Sequence, residues 1–250
     1  MSGHSHWAGI KHKKAKEDKK RGKVFSRIAK QVMTAARQGG KDPDTNLDLK
    51  YAIEAAKAVN MPKDNIERAV LKGAGELEGA QIEPVRYEGY GPGGAAVIVD
   101  ALTDNRNRTT PHLRRIFGDH GGQLAAGGSV SWSFDTKGLI LVEAGQRAEE
   151  ELFDLAIEAG ADDFQQAGDV YELSCDARVL HAVRDALLEA GLAVESAEVT
   201  LVPRSYVDLS VVDGRKVLKM MEELEDDEDV TTVYCNFNLP PELIAELEGP

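Results

Sequence analysis

LILVEAGQRAEEELFDLAIEAGADDFQQAGDVYELSCDARVLHAVRDALLEAGLAVESAEVTLV, residues 139–202, is the stretch from which the architecture can be read. Apolar alternation predicts a strand over Leu139–Glu143, and three-to-four-residue spacing predicts a helix over Ala148–Ala159. A hairpin including Val170–Ser174 follows, then a helix over Ala177–Ala190 and a strand around Glu198–Val202. The order is βαββαβ, a complete ferredoxin-like unit. Upstream, Ala95–Leu102 reads as a buried strand, Thr110-Pro111 as the cap of a helix carrying Leu113, Ile116 and Phe117, and Val130–Phe134 as a strand. Downstream, Tyr206–Val211, a helix over Arg215–Leu224 and a strand over Val230–Phe237 form a second βαβ set. Two incomplete units flank a complete one. The expected arrangement is a split ferredoxin-like domain, 80–135 plus 206–250, with a second ferredoxin-like domain, 136–205, inserted in it. Asp135-Thr136-Lys137 and Pro203-Arg204-Ser205 are the crossing points.

Residues 1–79 read differently. Phe25, Ile28, Ala29, Val32, Met33 and Ala36 form an apolar helical stripe, with Lys23, Arg27, Lys30, Thr34 and Arg37 on the opposite face. A second helix carries Leu49, Ala52, Ile53, Ala56 and Val59 and must stop before Pro62. A third, capped by Asp64 or Asn65, buries Ile66, Ala69 and Val70 and ends at Gly73. The fold class is therefore α+β, an N-terminal three-helix domain followed by two α/β domains.

The 250-residue chain is 42% hydrophobic and 29% charged, which excludes collagen-like, low-complexity and wholly disordered classes. No stretch approaches the roughly 20 apolar residues of a membrane span. The N-terminus lacks an apolar targeting core, so a cytoplasmic location is expected. Cys175 and Cys235 lack the spacing of a disulfide framework or thiolate cluster.

The formal net charge of −13 conceals a strong polarity, +9 over residues 1–40 and −20 over residues 141–250. Concentrated cations on an otherwise acidic chain are the electrostatic footprint of a phosphate ligand. Candidate contacts are Lys11, His12, Lys13, Lys14, Lys16, Lys19, Lys20, Arg21 and Lys23 on the arm, continuing through Arg27 and Lys30 on the helix. The bland alternative is a solvated basic face. Two readings fit Trp7, stacking on a base or docking the arm through its neighbour Ile10. His4, His6 and His12 lack a fourth ligand and sit among lysines that repel a cation, so no metal is expected. Arg106, Arg108, Arg114 and Arg115 either extend the nucleic-acid surface or pair with the abundant acids.

GYGPGG at residues 89–94 has GxGxxG spacing, but it precedes a strand rather than opening a helix, and no kinase-type lysine or catalytic triplets follow. It reads as a tight loop with a backbone role. Ser129 and Ser131 lack a nucleophile elbow, no HExxH occurs, and no carboxylate pairing is identifiable. The expectation is a non-enzyme with no cofactor and no small-molecule substrate. The acidic run Glu222–Asp229 reads as a solvated helix end that repels nucleic acid, or else as a docking surface for a basic protein.

The stretches GHSHWAGIKHKKAKEDKKRGKVFSRIAKQV, NMPKDNIERAVLKG, YEGYGPGGAAVIVDALTDNRNRT, SVSWSFDTKG and EELEDDEDVTTVYCNF closely resemble the YebC/PmpR family over nearly the whole chain. The resemblance implies three domains and a non-enzymatic regulator of gene expression. It implies a DNA-binding transcriptional regulator or, from relatives that include a mitochondrial translational activator of cytochrome oxidase subunit I, a ribosome-associated factor contacting ribosomal or transfer RNA. The partner is then nucleic acid, with the transcription machinery or the ribosome behind it, and no membrane. The family's basic motif falls on Lys11, His12, Lys13, Lys14, Lys19, Lys20, Arg21 and Lys23, with His6 where a lysine is common. In DHGGQLAAGGS, Asp119 and His120 replace commoner basic and polar residues. An adaptor that binds only proteins is the remaining class.

Overall fold

The structure is a computed structural model, and it describes residues 21–78, 81–167 and 170–248. The chain begins with three helices, α1 (Arg21–Gly39), α2 (Leu47–Ala58) and α3 (Lys63–Gly73). Their stripes close on a core of Ile28, Val32, Ala36, Leu49, Ala56, Met61, Ile66 and Ala69. Asn46 caps α2 by accepting from the Leu49 N–H, and its amide nitrogen donates to the Ala35 and Gly40 carbonyls, stitching the turn to the end of α1. The sequence places the start of α3 at an Asp64 or Asn65 cap. It begins instead at Lys63, with Pro62 as its uncapped N-terminal flank and Asp64 inside the first turn, where an acid favours the helix dipole.

The first sheet has the strand order β3-β1-β2-β9, all neighbours antiparallel, built from β1 (Glu83–Tyr90), β2 (Ala96–Thr103), β3 (Gln123–Ala125) and β9 (Val230–Cys235). Helices α4 (Arg106–Asp119) and α7 (Val211–Glu225) cover one face, burying Leu113, Ile116, Phe117, Val217, Met220 and Leu224 against Val97, Val99 and Cys235. Three details depart from expectation. The strand β1 precedes the glycine loop, so a β1–β2 hairpin occupies the middle of this sheet. The segment read as a strand at Val130–Phe134 is a 3₁₀ turn, Ser131–Ser133, and Phe134 already opens the second sheet. Helix α4 starts at Arg106 under an Asn105 cap, which leaves Pro111 inside the helix. GYGPGG closes the hairpin through the 3₁₀ turn Pro92–Gly94. Gly93, at φ +70°, packs so closely that a Cβ would lie 2.5 Å from Leu209.

The second sheet has the order β5-β6-β4-β7, from β4 (Phe134–Glu143), β5 (Asp163–Ala167), β6 (Val170–Asp176) and β7 (Val194–Pro203), with α5 (Glu149–Ala159) and α6 (Leu180–Glu189) on one face. This is the antiparallel ferredoxin-like order, with its own core of Ile140, Val142, Leu152, Ala156, Leu173, Leu180, Val183 and Leu187. A short parallel pair, β8 (Val207–Asp208) with β10 (Phe237–Asn238), returns the chain to the first unit, and α8 (Pro241–Glu248) packs Leu243 against it. That last helix was not read from the sequence.

Candidate nucleic-acid interface

The arm residues Lys11, His12, Lys13, Lys14, Lys16, Lys19 and Lys20 lie outside the described residues, as do Trp7 and the histidines at 4 and 6. Arg21 and Lys23 occupy the first turn of α1. Further along that helix, Arg27 and Lys30, candidate phosphate contacts whose bland alternative was a solvated face, instead meet protein groups. Arg27 donates from Nη2 to the Glu225 carbonyl at 2.6 Å, and the Lys30 ammonium reaches Asp229 Oδ1 at 2.6 Å and the Glu228 carbonyl at 3.0 Å. Arg37 donates to the Ile82 carbonyl. Arg27 and Lys30 thus face the end of α7 and the turn into β9, and Arg37 faces the segment leading into β1.

Asp229 is the centre of this seam. It is 3% exposed and sits where β9 begins, its carbonyl accepting from the Leu102 N–H. Its carboxylate also accepts from Arg108 Nη2 at 2.8 Å and Thr109 Oγ1 at 2.7 Å. Burial alone would raise the Asp229 pKa, but hydrogen bonds from Arg108, Lys30 and Thr109 outweigh it and hold the group down to about 2. Around it, His112 meets Asp227 at 3.0 Å, and Arg115 and His120 meet Glu223 at 3.1 and 2.8 Å. The acidic run is therefore the surface on which α1 and α4 dock. Glu222, Asp226 and Glu228 remain exposed along the same run, so it is in part the solvated helix end that was expected.

The arginine cluster resolves the same way. Arg106 pairs with Glu83, Arg108 with Asp104 and Asp229, and Arg115 with Asp119 and Glu223. Arg114 is exposed on α4. Cations that the sequence reading did not single out, Lys50, Lys57, Arg68 and Lys72, are exposed on α2 and α3. Their isolation among apolar and acidic neighbours gave them no motif. The candidate interface of the helical domain is thus these outward cations together with the N-terminal arm.

At the far end of the first sheet lies a second feature. Glu88, 5% exposed in β1, accepts from the backbone N–H groups of Gly128, Val130 and Ser131 at 2.7 to 2.9 Å. Burial would raise its pKa, yet those three donors leave it lowered. Tyr90 adds a hydrogen bond to the Ser129 carbonyl at 3.1 Å. The strapped loop presents Trp132, 69% exposed. The sequence signals for this arrangement were weak, an acid among the buried positions of a mixed strand and an aromatic in a small-residue loop.

The open face of the second sheet is a third surface. Lys137, Leu139 and Leu141 on β4 stand beside Glu172 and Ser174 on β6 and Ser196 and Glu198 on β7. The face is acidic and carries no aromatic side chain, so it lacks the stacking platform by which sheets of this topology bind RNA. Among the described residues no cluster of histidine, cysteine and carboxylate side chains could hold a metal ion, and no helix is long and apolar enough to cross a membrane. Cys175 and Cys235 are both buried.

A helical domain with outward cations, joined through an acidic seam to two antiparallel-sheet units, matches characterised families. Residues 5–76 match the TACO1/YebC protein N-terminal domain, and residues 82–237 the TACO1/YebC second and third domain. The chain belongs to the TACO1/YebC family. It is 48% identical over 248 residues to a probable transcriptional regulatory protein of Dictyoglomus turgidum, covering 99% of this chain and all of that one. It is 49% identical over 243 residues to one of Caldanaerobacter subterraneus, covering 97% and 100%. The crystal structure of a conserved hypothetical protein from Aquifex aeolicus superposes with a TM-score of 0.82 at 46% identity, covering 91% of this chain and 94% of that one.

Proposed function

We propose that the chain is a nucleic-acid-binding regulator of gene expression, of the DNA-binding transcriptional type, that grips phosphates with its N-terminal arm and the outward cations of its helical domain. The observation that carries this is charge polarity, +9 over residues 1–40 against −20 over residues 141–250. The seam sharpens it. Arg27 and Lys30 are held by Glu225, Glu228 and Asp229, so phosphate contact belongs to Lys11, Lys13, Lys14, Lys16, Lys19, Lys20, Arg21 and Lys23. Arg114, exposed and outside the ion pairs that hold Arg106, Arg108 and Arg115, extends the same contact. The protein performs no catalysis in this reading, uses no cofactor and works in the cytoplasm.

A second reading is favoured by the same inward docking. Because the middle of α1 is committed to the seam, it does not act as a groove-reading helix, and phosphate and shape recognition suit structured RNA of a ribosome. Its conclusion is a ribosome-associated translation activator. Sedimentation of lysate with parallel RNase and DNase treatment separates the two. Comigration with ribosomes abolished by RNase supports the translational reading, and DNase-sensitive association away from ribosomes supports the transcriptional one. If about six phosphates are contacted, log K falls against log salt with a slope near −5. A flat salt response, or unchanged retention after charge reversal at Lys13, Lys14 and Lys20, leaves the protein-only adaptor.

A further inference from the structure

Trp132 stands alone on the surface. It is 69% exposed, the most exposed of the large hydrophobic side chains among the described residues, and an indole left in water forgoes the burial that usually holds tryptophan in place. Its loop is nonetheless rigidly held. Glu88 takes three of the loop's backbone N–H groups, Tyr90 binds the Ser129 carbonyl, and Phe134 just beyond is buried against Ile98 and Leu201. The ring itself is tethered, because Nε1 donates to the Ser129 carbonyl at 2.9 Å. Its one polar group is thereby spent within the loop. What it offers a ligand is a pre-oriented π-face with no donor to satisfy.

The neighbours decide between partner chemistries. Gly127 and Gly128 are exposed, and a Cβ built on either would meet nothing within 4 Å. Ser129 and Ser131 follow them as small polar residues. A protein hot spot needs an apolar pocket and a surrounding rim that excludes water, and this loop supplies no contiguous apolar patch. A flat ring with a polar backbone needs only an aromatic face and open space beside it. We infer that Trp132, held by the Glu88-strapped loop 126–133, is a stacking site for an unpaired nucleobase. The proposal rests on the nucleic-acid reading above and deepens it. It lies at the Tyr90 end of the first sheet, whereas α1 docks at the Thr103 end. The protein would then hold phosphates at one end and an unstacked base at the other, which selects nucleic acid that has single-stranded or distorted segments over regular duplex.

The test measures binding of labelled single strands, oligothymidylate and oligouridylate, and of DNA and RNA duplexes of equal length to the full chain and to W132A, W132F and K13E/K14E at constant salt. Loss of one base stack corresponds to a weakening of about 5- to 100-fold. That loss is expected for W132A on the single strand, with duplex affinity and salt slope unchanged and W132F retaining most of the binding. In a W7F background Trp132 is the only tryptophan, since the chain has two, and under tryptophan-selective excitation single strand but not duplex quenches its fluorescence. Unchanged single-strand affinity in W132A, or emission that ignores the single strand, overturns the stacking proposal. If K13E/K14E still loses affinity for single strand and duplex alike in that case, the phosphate reading stands alone. A wild-type chain that binds no single strand and no duplex of either nucleic acid overturns both.

Discussion

The two sheets have the same ingredients, four antiparallel strands with two helices on one face, yet they meet the rest of the molecule differently. In the first, β2 is buried on both sides, its pattern interrupted only at Asp100. In the second, β6 alternates buried and half-buried positions throughout. The composition of the strands explains the difference. AVIVDALT is an almost continuous apolar run, the signature of a strand covered on both faces, whereas VYELSCD alternates as a strand with one solvated face does. The far side of β2 meets Val130, Phe134 and Leu201, where the inserted unit begins and ends, and its Leu102 end faces α1 and α2. The first sheet is therefore the hub on which the three units assemble, and the second is a peripheral unit whose outer face faces water. A shared count of antiparallel strands and covering helices did not confer a shared role; the second cover did.

The sharpest way to break this comparison is to remove apolar volume from the hub's far face. Ile98→Ala, at a fully buried position, is expected to cost about 3–4 kcal/mol, while Leu139→Ala on the half-buried open face of β4 costs about 1 kcal/mol. Urea denaturation of the two variants reads the contrast directly, and equal losses would abolish the distinction between hub and periphery.

Next in size is the seam. Asp229→Asn leaves Lys30 without its charge partner and removes the anion shared by Arg108 and Thr109. A loss of about 3 kcal/mol is expected, the low end for breaking a buried pair, since Arg108 is half exposed. The folded Asp229 pKa of about 2 lies below its ordinary 3.8, so the folded state holds the carboxylate in its charged form more strongly than the unfolded chain does. Its contribution is then fully present above about pH 4 and is lost as pH falls toward 2. An acid titration of stability should show this fall in the wild type and a flatter course in Asp229→Asn.

Glu88→Gln is expected to cost about 2 kcal/mol, because a neutral amide replaces a carboxylate that accepts three backbone bonds. Hydrogen exchange at Gly128, Val130 and Ser131 should accelerate, and unchanged protection there would mean that the loop is held by Tyr90 and Phe134 alone. The smallest effect belongs to the open acidic face. Glu198→Gln, exposed on β7, should change stability by less than about 0.5 kcal/mol in thermal melts.

Local pattern carried much of this protein. The stripe of Phe25, Ile28, Val32 and Ala36, the alternation in β6 and the βαββαβ order of residues 139–202 are periodicities that each element needs in order to bury one face, so they are written residue by residue. The helix-capping detail at Pro62 and the 3₁₀ turn at Ser131–Ser133 were misread because capping and turn signals span only a few residues and compete with neighbouring strand and helix preferences. The charge polarity between residues 1–40 and 141–250 was likewise plain, since net charge is a sum that needs no geometry. Pairing is another matter. Nothing local distinguishes Lys30, committed to Asp229 across 199 positions, from Lys72, exposed on α3; both are lysines on amphipathic helices. Glu88 and Trp132 were equally silent, one of two acids in a mixed strand and the other an aromatic in a loop of small residues. Which cations turn inward, which carboxylates become anchors and which ring is left in water depend on contacts between residues distant in sequence. Those contacts exist only once the three cores have packed, because ion pairing and burial are properties of where two groups meet in space and not of either group alone.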